Sequence, residues 1–411
     1  MICRIPAPLT LCYTACMNPL QARTLQLAVF TLVASAFTNI YLTQPVLPIL
    51  QQEFAASASH VSWSISAVIL GITLANIPFG LLADHWPIRP IILLGGTMVA
   101  IAGLLTAYVD SLALHTTARF IQGLFIPALT TCLAAFLARI LPTERLNVVM
   151  GSYVAATVLG GLGGRLLGGW IHPPLHWRYA LVSAALLTLI SIAIAYFLLP
   201  KEPKQPPQPK HSRVGFGDLL TQWPILRLLF SAMGGFFVFS SLFNYLPFRL
   251  AETPFNLSTH TITAIYLVYI MGIFMGPLTG KLVNRWGSGR TLMSGSGVTF
   301  AAVILSGSPW LGGVIAAMLL LCAGFFTVHA ASVGALNHQV KSGHGRANAL
   351  YVLFYYLGGW MGVSLSGLAF EAWGWFGVMG ICVGMLILPF IAGWMEHKTC
   401  TVKEKTPCKP L

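Results

Sequence analysis

The sequence predicts an all-α integral membrane protein, twelve transmembrane helices arranged as two pseudo-symmetric six-helix bundles. Three observations carry this. Hydrophobic residues make up 56% of the 411 positions and charged residues only 8%, against about 25% charged in a soluble domain. The chain contains about twelve apolar runs of roughly the 20 residues that span a bilayer. It also repeats itself: Gly80-Leu-Leu-Ala-Asp84-His-Trp-Pro-Ile-Arg89-Pro90 answers Gly280-Lys-Leu-Val-Asn284-Arg285-Trp-Gly-Ser-Gly-Arg290 at an offset of 200. Self-similarity at a fixed offset means one plan used twice.

The first half reads as helices at 25–50, 61–84, 89–109, 112–138, 147–171 and 178–199. The second reads as 225–249, 261–284, 290–309, 311–337, 347–370 and 374–395. Residues 1–20 form an N-terminal extension, with Met17 an alternative start and no basic or small-residue signal-peptide pattern. The bundles are 21–199 and 224–396, joined by a 200–223 linker and followed by a 397–411 tail. The linker contains Lys201-Glu-Pro-Lys-Gln-Pro-Pro-Gln-Pro-Lys-His-Ser-Arg213, whose prolines and charges do not pack in lipid.

The net charge of +13 does not indicate a nucleic-acid partner, because the basic residues sit in short loops between apolar runs. With both ends in the cytoplasm, 19 of the 23 lysines and arginines fall inside, which sets the orientation by the positive-inside rule. The eight cysteines form no CxxC pair and fall in no outer loop, so neither a disulfide framework nor a zinc site is expected.

The repeated loops resemble the 2/3 and 8/9 loop signature of the major facilitator superfamily. Gly80, Leu82, Ala83, Asp84 and Arg89 match it; His85, Pro87 and Ile88 depart from it, and Asn284 replaces the acid in the second copy. The resemblance implies a cytoplasmic gate of Gly80, Asp84, Arg89, Arg145, Gly280, Asn284, Arg285 and Arg290. Physically, Asp84 ends a helix whose dipole repels it, so it needs a positive partner, a helix N-terminus or Arg89 or Arg145. Arg119-Phe-Ile-Gln122-Gly123 resembles the family's R-x-x-Q-G element. Helix 5 carries Gly160, Gly164 and Gly168, and helix 11 carries Gly358 and Gly362. The i, i+4, i+8 spacing makes one smooth face for close helix packing. The helix 5 run resembles the glycine motif of antiporter branches, with Arg165 in place of the usual proline. Phe243 to Leu250, Phe325 to His329 and Tyr355 to Gly359 look like the bacterial arabinose-efflux-permease-like branch of drug and sugar exporters.

The resemblance implies alternating access to a cavity lined by helices 1, 4, 7 and 10, and so by Asn39, Gln44, Arg119, Gln122, Asn244, Tyr245 and His329. Each has a structural reading too: hydrogen bonds between helices, or an arginine snorkelling to the surface. Arg165 reads equally as an arginine satisfied by carbonyls and as a functional cation. The ten acidic residues all lie at helix ends, loops or tails. His329 is therefore the proton-coupling candidate, since histidine titrates near ~6.5.

The expected function is proton-coupled efflux of a small organic solute, drug-like or sugar-like. The alternative is an importer or uniporter of a small metabolite. A receptor of the same fold and a membrane-embedded enzyme stand further off, since no HExxH, CxxC or phosphate-cradling GxxxxGK[ST] occurs. The expected partners are a small-molecule substrate, protons and the lipid bilayer, with no cofactor, metal or nucleic acid, and a monomer in the plasma (bacterial inner) membrane.

Overall fold

The computed structural model describes residues 19–83, 85–141, 143–200, 215–340 and 342–405. Within them, the long apolar stretches are α1 (Arg23–Glu53), α2 (Ala58–Ala83), α3 (Ile88–Tyr108), α4 (Leu112–Ile140), α5 (Val148–Ile171), α6 (Arg178–Leu198) and α7 (Trp223–Ala251). Then come Thr259–Leu305, Leu311–Gln339 and His344–Lys398. The first and last of these three are twice as long as a bilayer needs. Each is broken at a glycine in a conformation that L side chains avoid: Gly287 at φ 79°, ψ 161° and Gly374 at φ 60°, ψ −149°. They therefore divide into α8 (259–286) and α9 (288–305), and α11 (344–373) and α12 (375–398), on either side of α10 (Leu311–Gln339). Twelve spans result, as the apolar runs predict.

The helices are apolar nearly all round because one face meets lipid and the other meets neighbouring helices. Leu94, Leu105, Phe197, Phe274 and Leu368 are exposed on the outer faces, which suits a hydrocarbon solvent and not water. Inside, small residues set the spacing. A Cβ on Gly160, Gly164 or Gly168 would run into the backbone of Ala34, Thr38 or Leu42 on α1. In the second half, a Cβ on Gly358 or Gly362 would run into the backbone of Met233 or Phe237 on α7. The repeat in sequence is thus a repeat in packing: α5 lies on α1 as α11 lies on α7. Pro48 and Pro247, and Pro78 and Pro277, fall at matched positions 199 apart. Gly123 of the R-x-x-Q-G element has the same role, with a Cβ there meeting the backbone of Val68 on α2.

Two ends can be told apart: a near end carrying Gly80 and Gly280, and a far end where α1 meets α2. Hydrogen bonds between the halves gather toward the far end. Ser59 N donates to Glu371 Oε1 at 3.1 Å, Asn244 Nδ2 to Ser62 Oγ at 2.8 Å, and Trp170 Nε1 to the His260 carbonyl at 3.4 Å. The acids serve as fasteners at the ends. Glu53 pairs with Arg178 at 3.0 Å and accepts from Trp177, while Glu396 holds Arg227 at 2.5 Å and Gln339 at 2.6 Å.

Candidate functional site

Two buried arginines organise the first half, and both depend on a break in α1. Regular helix ends at Tyr41, and a 3-10 turn over Gln44–Val46 follows, with Pro45 in it and Pro48 just beyond. The last carbonyls of a helix have no intrahelical N–H partner, and those of Asn39 and Ile40 fall in the turn that ends at Tyr41. Arg119, fully buried on α4, supplies the missing donors. Its Nη1 donates to Asn39 O at 2.7 Å, Nη2 to Ile40 O at 2.8 Å and Nε to Ser64 O of α2 at 2.9 Å. Nη1 also donates to Gln122 Oε1 at 2.5 Å. A cation at a helix C-terminus is favourable in its own right.

Gln122 passes the network on. Its Nε2 donates to Asn39 Oδ1 at 2.9 Å and Val99 O at 3.1 Å, and Asn39 Nδ2 donates to Thr188 Oγ1 at 2.8 Å. Asn39, Arg119 and Gln122 thus come together, as a knot joining α1, α2, α3, α4 and α6. All the partners of these three residues belong to the first half, so Asn39, Arg119 and Gln122 tie together the helices of one bundle.

Arg165 is the second buried cation, 1% exposed. Its Nε donates to Gln44 Oε1 at 2.7 Å and its Nη1 to Gly161 O at 2.9 Å. Around the guanidinium stand Tyr41 at 4.2 Å, Tyr269 at 4.7 Å, Tyr266 at 5.4 Å and Phe243 at 5.7 Å, measured to ring centroids. A second 3-10 turn, Tyr266–Ile270, accounts for the paired tyrosines of α8. Side chains at i and i+3 eclipse in that geometry, so both rings face one way. Among the described residues, no carboxylate stands within ion-pair reach of Arg119 or Arg165. A crevice too narrow to admit a water molecule lies beside Arg165, lined also by Tyr41, Gln44, Ile65, Phe239 and Ser240. Both halves contribute to it.

Behind that crevice the second half presents an aromatic wall. Phe236 stacks on Tyr355 at 3.8 Å and Phe239 on Phe325 at 4.1 Å. His329, half-buried on α10, lies in the same wall. Its Nδ1 is 3.0 Å from the Tyr351 hydroxyl and its ring lies parallel to Phe325 at 6.0 Å. Asn244 reaches across to Ser62; the Tyr245 hydroxyl donates to Val363 O at 2.8 Å and its ring packs on Phe370 at 5.3 Å.

At the near end, Asp84 lies outside the described residues. Arg89 donates from Nη2 to Leu199 O at the end of α6 and stands 5.7 Å from the Tyr196 ring. Arg145 is half-buried; Asn284, Arg285 and Arg290 are exposed. A Cβ on Gly80 would meet only Thr131 of its own half, and one on Gly280 would meet nothing within 4 Å. The two signature loops therefore do not touch through these glycines in this state.

Sequence reasoning missed the cage around Arg165. Its signal was present in Gln44-Pro45, which breaks a helix, and in two tyrosines spaced by three. Mid-helix aromatics read as ordinary packing until a cation is known to sit among them.

The family model described as Major Facilitator Superfamily matches residues 29–340. The chain is 28% identical over 379 residues to the inner membrane transport protein YnfM of Escherichia coli, covering 90% of each. It is 24% identical over 222 residues to a bicyclomycin resistance protein homolog of Haemophilus influenzae, covering 52% of this chain and 55% of that one. Among solved structures, it resembles a bacterial homolog of the human lysosomal transporter Spinster, in an inward-facing and unoccupied conformation. That likeness has a TM-score of 0.74 at 15% identity and covers 95% of this chain and 100% of the other.

Proposed function

The chain belongs to the Major Facilitator Superfamily, and we propose that within it this protein exports a small organic solute in exchange for protons. It is a multi-pass membrane transporter; direction, coupling and cargo are our reading. The observation that carries it is the arrangement of the halves. They are tied toward the far end by Ser59–Glu371, Ser62–Asn244 and the Arg165 cage, while Gly80 and Gly280 stand clear. With both termini inside, as the basic residues favour, this is a state open to the cytoplasm, the state in which an exporter loads. Alternation would break the far-end ties and bring the near-end loops together, with Asp84 and Arg145 in the latch. The glycine run of α5 resembles antiporter branches, and one relative carries a drug-resistance name. Both support export over import.

For the proton we favour His329. Glu53, Glu371 and Glu396 are engaged at helix ends, and a charge at bilayer depth needs a reason to be there. His329 is half-buried and its imidazole has a hydroxyl partner. His329→Gln keeps hydrogen bonding and cannot carry charge. It should abolish accumulation driven by a pH gradient in proteoliposomes and spare exchange of substrate down its own gradient. Accumulation by the variant at the parent rate would move the proton path elsewhere. A parent protein indifferent to the gradient would make this a facilitator.

A further inference from the structure

We propose that the cargo carries a negative charge beside a planar apolar body, and that Arg165 is the residue that holds the charge. This rests on the transport reading above and narrows its substrate class. Arg165 is buried, lacks a carboxylate among the described residues and lines the crevice between the halves. A cation in that position draws an anion.

The contrast with Arg119 is informative. The Arg119 fork is committed to main-chain carbonyls of α1 and α2, all within the first half. Arg165 is held mostly by rings, which can swing. Its side chain runs back toward the N-terminal end of α5, where Nη1 meets Gly161 O one turn earlier. The guanidinium therefore faces from the far end toward the centre of the molecule. Gly161 leaves room there: a Cβ would stand 3.5 Å from Nη1, 3.6 Å from Tyr41 and 3.8 Å from Tyr269.

In the present state the rings occupy the place of an anion. A carboxylate binding the guanidinium fork is a stronger partner than a ring face, so an incoming anion displaces Tyr41 or Tyr269 and lays its own apolar body along the aromatic wall. The cage is also state-dependent. Phe243, Tyr266 and Tyr269 belong to the second half and Tyr41 to the first. Separating the far end removes three of the four rings, and the cargo's charge then neutralises the uncovered cation as the halves move.

The test uses isosteres that differ in charge: 1-naphthoate against 1-naphthamide, and 4-hydroxybenzoate against its amide. On detergent-purified protein, each carboxylate should bind at least tenfold more tightly than its amide and raise the melting temperature further. Arg165→Gln should erase that preference, and Arg165→Lys should keep part of it. The proposal is overturned if amides match carboxylates in the parent protein, or if Arg165→Gln retains the preference. The parent comparison and the Lys variant decide the matter even where the Gln variant fails to fold. Counterflow of labelled 1-naphthoate in proteoliposomes separates the two claims. A charge preference without movement across the membrane overturns the transport reading alone. Counterflow of the amide without a charge preference overturns the anion proposal alone.

Discussion

Arg119→Leu should cost the folded protein about 2–5 kcal/mol and lower its melting temperature in detergent markedly. Three opposing terms set this figure. The variant removes hydrogen bonds from a charged donor, each worth roughly 1.5–3 kcal/mol, and leaves the carbonyls of Asn39, Ile40 and Ser64 buried without that partner. It also removes the penalty of holding a cation in an apolar interior, which offsets part of the loss. The carbonyls of Asn39 and Ile40 decide the sign, because regular helix ends at Tyr41 and leaves them in its last turn. Arg119→Lys should fall between parent and Leu variant, since one ammonium does not reproduce a fork that reaches two helices. Differential scanning fluorimetry of the three proteins measures the order. Parent-like melting with transport abolished would instead return Arg119 to the cavity role that its motif suggests.

The second large effect concerns the glycine seams. Gly164→Val should leave little monodisperse protein after extraction, because its first side-chain carbon would overlap the Thr38 backbone on α1. Overpacking costs about 1–3 kcal/mol where neighbours can shift, and here the neighbour is main chain in a packed helix. Gly362→Val, facing the Phe237 backbone on α7, should behave alike. Gly163→Val is the control: on the same helix, nothing lies within 4 Å of the added carbon, so its yield should match the parent. Equal yields from Gly163→Val and Gly164→Val, read by size-exclusion chromatography, would contradict the seam.

These two cases also mark how far the sequence could be read. The twelve spans and the glycine faces were legible because hydropathy and small-residue spacing act locally, one helix at a time. The repeat, at an offset of 200 in the loops and 198 in the glycine runs, added the symmetry, so Gly160/Gly164 and Gly358/Gly362 could be paired before any contact was known. Arg119 was visible as a costly intramembrane charge, but its partners were not. They exist only because α1 stops being regular at Tyr41, and the freed carbonyls lie 79 and 80 residues away in the chain. Arg165 posed the same difficulty across the halves, since rings from α1, α7 and α8 converge on it. Tyr245 shows the remaining limit. Its hydroxyl donates to Val363 O on α11, 118 residues along the chain, a partner that no local pattern announces.

The central claim is that the two halves must part at the far end for transport to occur. Its most direct measurement is counterflow by Ser59→Cys/Glu371→Cys protein in a background with the eight native cysteines replaced. These positions carry one of the far-end ties, Ser59 N to Glu371 Oε1 at 3.1 Å. The account predicts that a short bifunctional thiol reagent stops counterflow and that reduction restores it, while either single variant treated alike keeps transporting. Counterflow at the uncrosslinked rate, with the crosslink verified on the same protein, would contradict it.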